Sequence, residues 1–74
     1  MIHNGTLVLN KDTFYSTTDE EKKQARRVII EDGVTSLGIG AFAESQNLIE
    51  ITLPETLTDL GFATFMNCHN LQQN

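Results

Sequence analysis

Residues 28–50 read VIIEDGVTSLGIGAFAESQNLIE, and residues 51–73 read ITLPETLTDLGFATFMNCHNLQQ. Laid over one another without a gap, these 23-residue blocks share Thr35/Thr58, Leu37/Leu60, Gly38/Gly61, Phe42/Phe65, Asn47/Asn70 and Leu48/Leu71. Val28/Ile51, Ile30/Leu53, Val34/Leu57, Ile39/Phe62 and Ala43/Met66 are apolar in both. Identities and apolar matches falling in one register mark a tandem repeat. A block this short cannot bury its own apolar edge, so stacking on a neighbour must complete the core.

Within each block the local structure can be read coarsely. Val28–Ile30 and Ile51–Leu53 are short β-prone runs with inward side chains at alternate positions. A turn follows, through Asp32-Gly33 in one block and Pro54-Glu55-Thr56 in the other. Thr35–Leu37 and Thr58–Leu60 make a second extended piece. Gly38 and Gly61 are then expected to adopt backbone angles that a side chain would resist. Residues 40–45 and 63–68 suit a single helical turn carrying an inward phenylalanine. Asn47 and Asn70 stand where an amide can bond backbone groups at the bend before the next strand.

The first 27 residues depart from the block. Thr6–Leu9 alternates like a strand. Ser16–Arg27 reads as a helix with a capping box between Thr18 and Glu21, acids first and bases last. Asp19 and Lys23, four apart, are expected to pair. Ala25 is this helix's one apolar residue, so it should be solvated and marginal. The segment reads as an amino-terminal cap over the first block's open edge. The expected chain is therefore one β-rich α/β domain: a cap (1–27), a first repeat (28–50) and a second repeat (51–74).

These residues carry a family resemblance. The run V-x-I-x-D-G-V-T-S-L-G-x-x-A-F-x-x-x-x-x-L followed by I-x-L-P resembles the BspA-like type of leucine-rich repeat, with its Ala-Phe turn and Ile-x-Leu-Pro strand end. The resemblance covers residues 28–73 and implies a short leucine-rich-repeat solenoid with a strand-plus-helix cap. It also implies a binding scaffold, without naming what is bound. Thr64 stands where the pattern has alanine. Members are usually long arrays, often secreted or surface-attached.

Charge is distributed unevenly. The net charge is −5, and all five basic residues (Lys11, Lys22, Lys23, Arg26, Arg27) precede Val28. From Val28 onward only Glu31, Asp32, Glu44, Glu50, Glu55 and Asp59 are charged. That disfavours direct nucleic-acid binding, which needs cations against phosphates. Solubility alone would account for such a surface; a basic protein partner would also. In the repeat alignment Arg27, Glu50 and Gln73 share one row, so Glu50 is expected to be neutralised by Arg27. Asp32 and Glu55 are equivalents with no cation in either block. Two carboxylates about 5 Å apart repel by roughly 0.8 kcal/mol in water. The outward strand positions are Arg27, Ile29, Glu31 and Glu50, Thr52, Pro54, with Ile29 a candidate anchor.

Chemistry-bearing motifs are missing from the sequence. There is no Gly-x-Ser-x-Gly, no phosphate loop with lysine and no His-Glu-x-x-His. His3 and His69 are far apart, and Cys68 lacks the partners of a zinc site or a disulfide. Gly38-x-Gly40 lacks the third glycine and long helix of a dinucleotide loop. No apolar run approaches the roughly 18–20 residues of a membrane span. The opening MIHNGTLVLN has neither a basic n-region nor an apolar h-region, so a cytoplasmic protein is expected. On that ground the sequon Asn4-Gly5-Thr6 is expected to be silent.

Neither catalysis, a cofactor nor a metal is therefore expected. The residues point to a non-catalytic binding protein whose acidic set (Glu31, Asp32, Glu44, Glu55 and Asp59) occludes the basic surface of a protein partner, nucleic-acid-binding complexes included. A compact, negative chain of this kind is what a phage-type inhibitor or DNA mimic, such as an anti-CRISPR protein, would look like. The alternative is a structural or adhesive fragment, the end of a longer leucine-rich array. The carboxyl-terminal edge is expected to be open, polar through its glutamines, and available for pairing with a second copy.

Overall fold

The computed structural model describes residues 2–71. Gln73 and the glutamine-rich end of the edge lie outside the described residues. The chain opens with a hairpin, β1 (Ile2–His3) antiparallel to β2 (Thr6–Leu9). Asn4 (φ 53°) and Gly5 (φ 79°) form its two-residue loop. Asn-Gly suits this loop because both residues tolerate the left-handed backbone that matches strand twist. β2 then pairs in parallel with β3 (Arg27–Ile30), and β3 pairs in parallel with β5 (Glu50–Thr52). The sheet order is β1-β2-β3-β5, and β4 (Ser36–Leu37) pairs in parallel with β6 (Asp59–Leu60) as a second small sheet.

The register confirms the repeat. Arg27 faces Glu50, Val28 faces Ile51 and Leu37 faces Leu60, each pair 23 positions apart. Parallel strands one period apart bring equivalent side chains into rows, which is how two short blocks come to share one core. The chain is strand-rich and has little helix. Its helix α1 (Asp19–Gln24) is shorter than the sequence suggests. The expected capping box is present, with Thr18 Oγ1 accepting from the Glu21 N–H at 3.2 Å. The helix stops because Ala25 is extended (ψ 138°) and fully buried, so the apolar residue belongs to the core beyond the helix. No α1 residue is buried. Among the described residues, Asp19 and Lys23 do not close into the expected ion pair.

The amino-terminal segment does more than cover an edge. Leu7, Leu9, Phe14 and Ala25 join Val28, Ile30, Val34, Leu37, Phe42 and Leu48 in one core. Phe14, on a 3-10 turn (Phe14–Ser16), meets Phe42 edge-on at 6.3 Å, and Phe42 stacks on Phe65 at 6.1 Å. Three aromatic rings thus run through the amino-terminal segment and both repeats, burying large apolar area in a small chain. Lys22 Nζ lies 5.2 Å from the Phe14 ring centroid and 5.5 Å from that of Phe42. This is the ordinary geometry of a cation over an aromatic face.

Two local expectations are corrected. Residues 40–45 and 63–68 are not helical turns: Ala41, Ala43 and Ser45 N–H groups bond three residues back, while those of Gly40, Phe42 and Glu44 reach Phe62, Thr64 and Met66 carbonyls in the next block. Half the donors serve the neighbour, so a helix cannot form. The positive backbone angles also fall elsewhere, on Gly40 and Ala63 and on Glu44 and Asn67, not on Gly38 and Gly61. Thr64 is accommodated where the pattern has alanine, because its buried hydroxyl donates to the Gly61 carbonyl.

Candidate interaction surface

Strands β3 and β5 each run into a turn, and the two turns are tied together. Gly33 N–H donates to Thr56 Oγ1 at 3.1 Å, and that hydroxyl donates to the Val34 carbonyl at 2.9 Å. The strand ladder has ended by this point: Pro54, the equivalent of Glu31, has no N–H to give. A threonine hydroxyl bridges the gap. Glu31, Asp32 and Glu55 flank this bridge, all exposed, and Asp59 follows on β6 beside Ser36. Four of the acids singled out in the sequence thus lie, exposed, on the two adjacent segments that run from one sheet to the other.

The fifth does not join them. Glu44 lines a shallow cavity with Asp19, Lys22, Lys23, Gly40, Ala41, Ala43 and Ser45. It comes after the chain has passed β4 and turned through Gly40. The base-free run in sequence is also not base-free in space. Arg27 Nε donates to Glu50 Oε1 at 3.1 Å, as the alignment predicted. The methylenes of Lys11 stand 3.4–3.6 Å from where a Cβ on Gly33 would be, beside Asp32. Sequence distance concealed this approach, since Lys11 enters through the β2–β3 pairing.

The Arg27–Glu50 pair adds little stability. Its side chains are 51 % and 46 % exposed, and such surface pairs contribute about 0–1 kcal/mol. Arg27→Met and Glu50→Gln, singly and together in a double-mutant cycle read by urea unfolding, should give a coupling below about 1 kcal/mol. A larger coupling would mean the pair sets the register.

The asparagine reading holds. Asn47 Nδ2 donates to the Lys23 carbonyl at 3.2 Å, and Asn70 Nδ2 to the Gln46 carbonyl at 2.6 Å, each joining one layer to the one before. Half-buried Cys68 works alongside them, its thiol donating to the Phe42 carbonyl at 3.0 Å. Among the described residues, no three His, Cys, Asp or Glu side chains converge in a way that could hold a metal ion. No described helix is long and apolar enough to cross a membrane.

A family model described as BspA type leucine-rich repeat region (6 copies) matches residues 8–74. The chain belongs to this BspA-type leucine-rich repeat family. The match starts inside β2, ahead of the first repeat recognised in the sequence, in keeping with β2 pairing on β3 as a repeat strand would. Neither a curated protein nor a solved structure matches the chain. The BspA-type family is a non-enzymatic repeat family, and membership implies a protein-interaction or adhesion-type role.

The sequence reading missed features whose signals were present. Asn4-Gly5, with Ile2 and Leu7 to either side, is a hairpin signal as well as part of a sequon. Ile29, the candidate anchor, is 39 % exposed and pairs with Val8, which is 48 % exposed. The most exposed large apolar residues are others: Ile39 and Phe62, at 80 % and 78 %.

Proposed function

We propose that this protein is a short leucine-rich-repeat solenoid that binds a basic protein surface without catalysis. Its docking face is Glu31, Asp32, Glu55 and Asp59, an arrangement suited to an inhibitor that occupies a site made for nucleic acid. The observation that carries this reading is the Gly33–Thr56 hydrogen bond, which draws acids of both blocks to one end of the strands. Unpaired carboxylates in close array cost stability when alone and become favourable once cations dock against them. Lys11 beside Gly33 narrows the field of this face without reversing its sign.

The test is a pull-down against nucleic-acid-binding complexes, using the protein and its Asp32→Lys, Glu55→Lys, Asp59→Lys triple variant. Capture should fall at least about tenfold as salt rises from about 0.05 M to about 0.5 M, because screening shortens the reach of the charges. The triple variant should keep its circular dichroism spectrum and lose capture. Binding indifferent to salt would remove the electrostatic reading.

A second reading has its own observation. Leu53 and Leu60 are 40 % and 56 % exposed, whereas their equivalents Ile30 and Leu37 are 2 % exposed. The N–H groups of Ala63, Phe65 and Asn67 find no backbone acceptor among the described residues, whereas their equivalents Gly40, Phe42 and Glu44 do. A face of this kind suits the end of a longer leucine-rich array, with a structural or adhesive role. Sedimentation velocity separates the two readings: a monomer at high concentration favours the docking protein, and progressive self-association favours the array.

A further inference from the structure

Ile39 and Phe62 occupy the same place in the repeat, and both project into solvent at 80 % and 78 % exposure. The open second block explains why Leu53, Leu60 and Met66 are exposed. It does not explain Ile39, whose own block keeps Val28, Ile30, Val34, Leu37, Phe42 and Leu48 at 4 % or less. The backbone fixes the pair outward. Gly61 N–H donates to the Leu37 carbonyl at 2.7 Å, and Gly40 N–H to the Phe62 carbonyl at 3.0 Å, bracketing both residues. Between those bonds the chains run so close that a Cβ on Gly61 would lie 2.5 Å from the Gly38 carbonyl carbon. Turning either side chain into the core would break this contact.

Large apolar side chains held in water contribute nothing to folding, and adjacent ones mark interaction surfaces. The charges around them are unequal. Asp59 stands three residues before Phe62, with Glu55 in the turn before it, and no lysine or arginine follows Arg27. On the opposite flank Lys22 and Lys23 line the cavity that includes Gly40 and Ala41, but Asp19 and Glu44 accompany them and the flank sums to zero. The surface is thus an apolar pair preceded along its own chain by acids, with Lys11 reaching only the turn at Gly33.

We propose that Ile39 and Phe62 anchor the partner interface and that they receive a basic amphipathic protein segment. Its apolar side chains cover the pair, and its lysines or arginines face Asp59 and Glu55. This rests on the acidic-face reading and adds to it the residues that fix affinity, since buried aromatic anchors dominate interface energetics.

The test uses two labelled peptides of equal length and charge, one alternating lysine with leucine and one lysine with serine, read by fluorescence anisotropy. The lysine–leucine peptide should bind at least about tenfold tighter. Phe62→Ser should erase that advantage while leaving lysine–serine binding and the circular dichroism spectrum unchanged; Ile39→Ser should erase part of it. Equal affinity for the two peptides, or indifference to Phe62→Ser, overturns the anchor pair. In that event Asp59→Lys still judges the acidic face, by whether lysine–serine binding falls. A dimer seen by light scattering and abolished by Phe62→Ser would overturn the proposal in favour of a second copy. Adsorption to phosphatidylcholine vesicles, lost in the same variant, would overturn it in favour of a lipid surface.

Discussion

Gly61→Ala should destabilise the protein by about 2–4 kcal/mol, while Gly38→Ala should be neutral or stabilising by up to about 1 kcal/mol. The two glycines are aligned in the repeat and look interchangeable in sequence. Neither needs a left-handed backbone. They differ in what a methyl group would meet. At Gly38 there is nothing within 4 Å; at Gly61 the Gly38 carbonyl carbon and oxygen lie 2.5 and 2.6 Å away and the Ile39 nitrogen 2.6 Å. These are backbone atoms, so no side chain can swing aside to make room. The blocks must move apart, loosening the Gly61–Leu37 and Gly40–Phe62 hydrogen bonds that close the repeat-to-repeat contact. At Gly38 alanine merely reduces the freedom of the unfolded chain. Urea unfolding of both variants checks this, with hydrogen exchange at Phe42 and Glu44 reporting whether the second block lifts. Equal effects at the two positions would mean the close approach is not what holds the blocks.

Phe42→Ala should leave the protein largely unfolded at 37 °C. The ring is 1 % exposed and sits between Phe14 and Phe65 in the aromatic column. Removing such a ring costs about 3–5 kcal/mol through lost burial and the cavity left behind. A domain of this size holds roughly that much in total. Phe65→Ala should cost less, because Phe65 is only partly buried and its outer side has less to lose. Phe42→Leu keeps most of the volume and should fold with a lowered midpoint. Thermal unfolding by circular dichroism ranks the three. A Phe42→Ala variant as stable as Phe65→Ala would mean that the column does not organise the core.

Much of this was legible in the residues. The period shows in six identities; it places Arg27 beside Glu50 and puts Asn47 and Asn70 where an amide can bond backbone groups. Ungapped repetition leaves one register, and register determines neighbours. The amino-terminal segment was harder to read. Its strand β2 is offset from β3 by 21 positions rather than 23, so Leu7, Leu9 and Phe14 match no position in the block alignment although they enter the same core. The acidic surface was half legible. Four of its members lie on adjacent segments tied by the Gly33–Thr56 bond, but Glu44 lines a cavity with Lys22 and Lys23, and Lys11 arrives beside Gly33 through a strand pairing that sequence distance hides.

By itself the sequence determined the repeat, its register and which side chains are equivalent, because those follow from periodicity alone. Only the tertiary structure decided what each equivalent does. Leu37 is sealed and Leu60 open, and Gly38 has room where Gly61 has none. The physical reason is that burial and close approach belong to the contact between two blocks. The first repeat has a neighbour on each side, whereas among the described residues the second has one, so identical residues meet different surroundings.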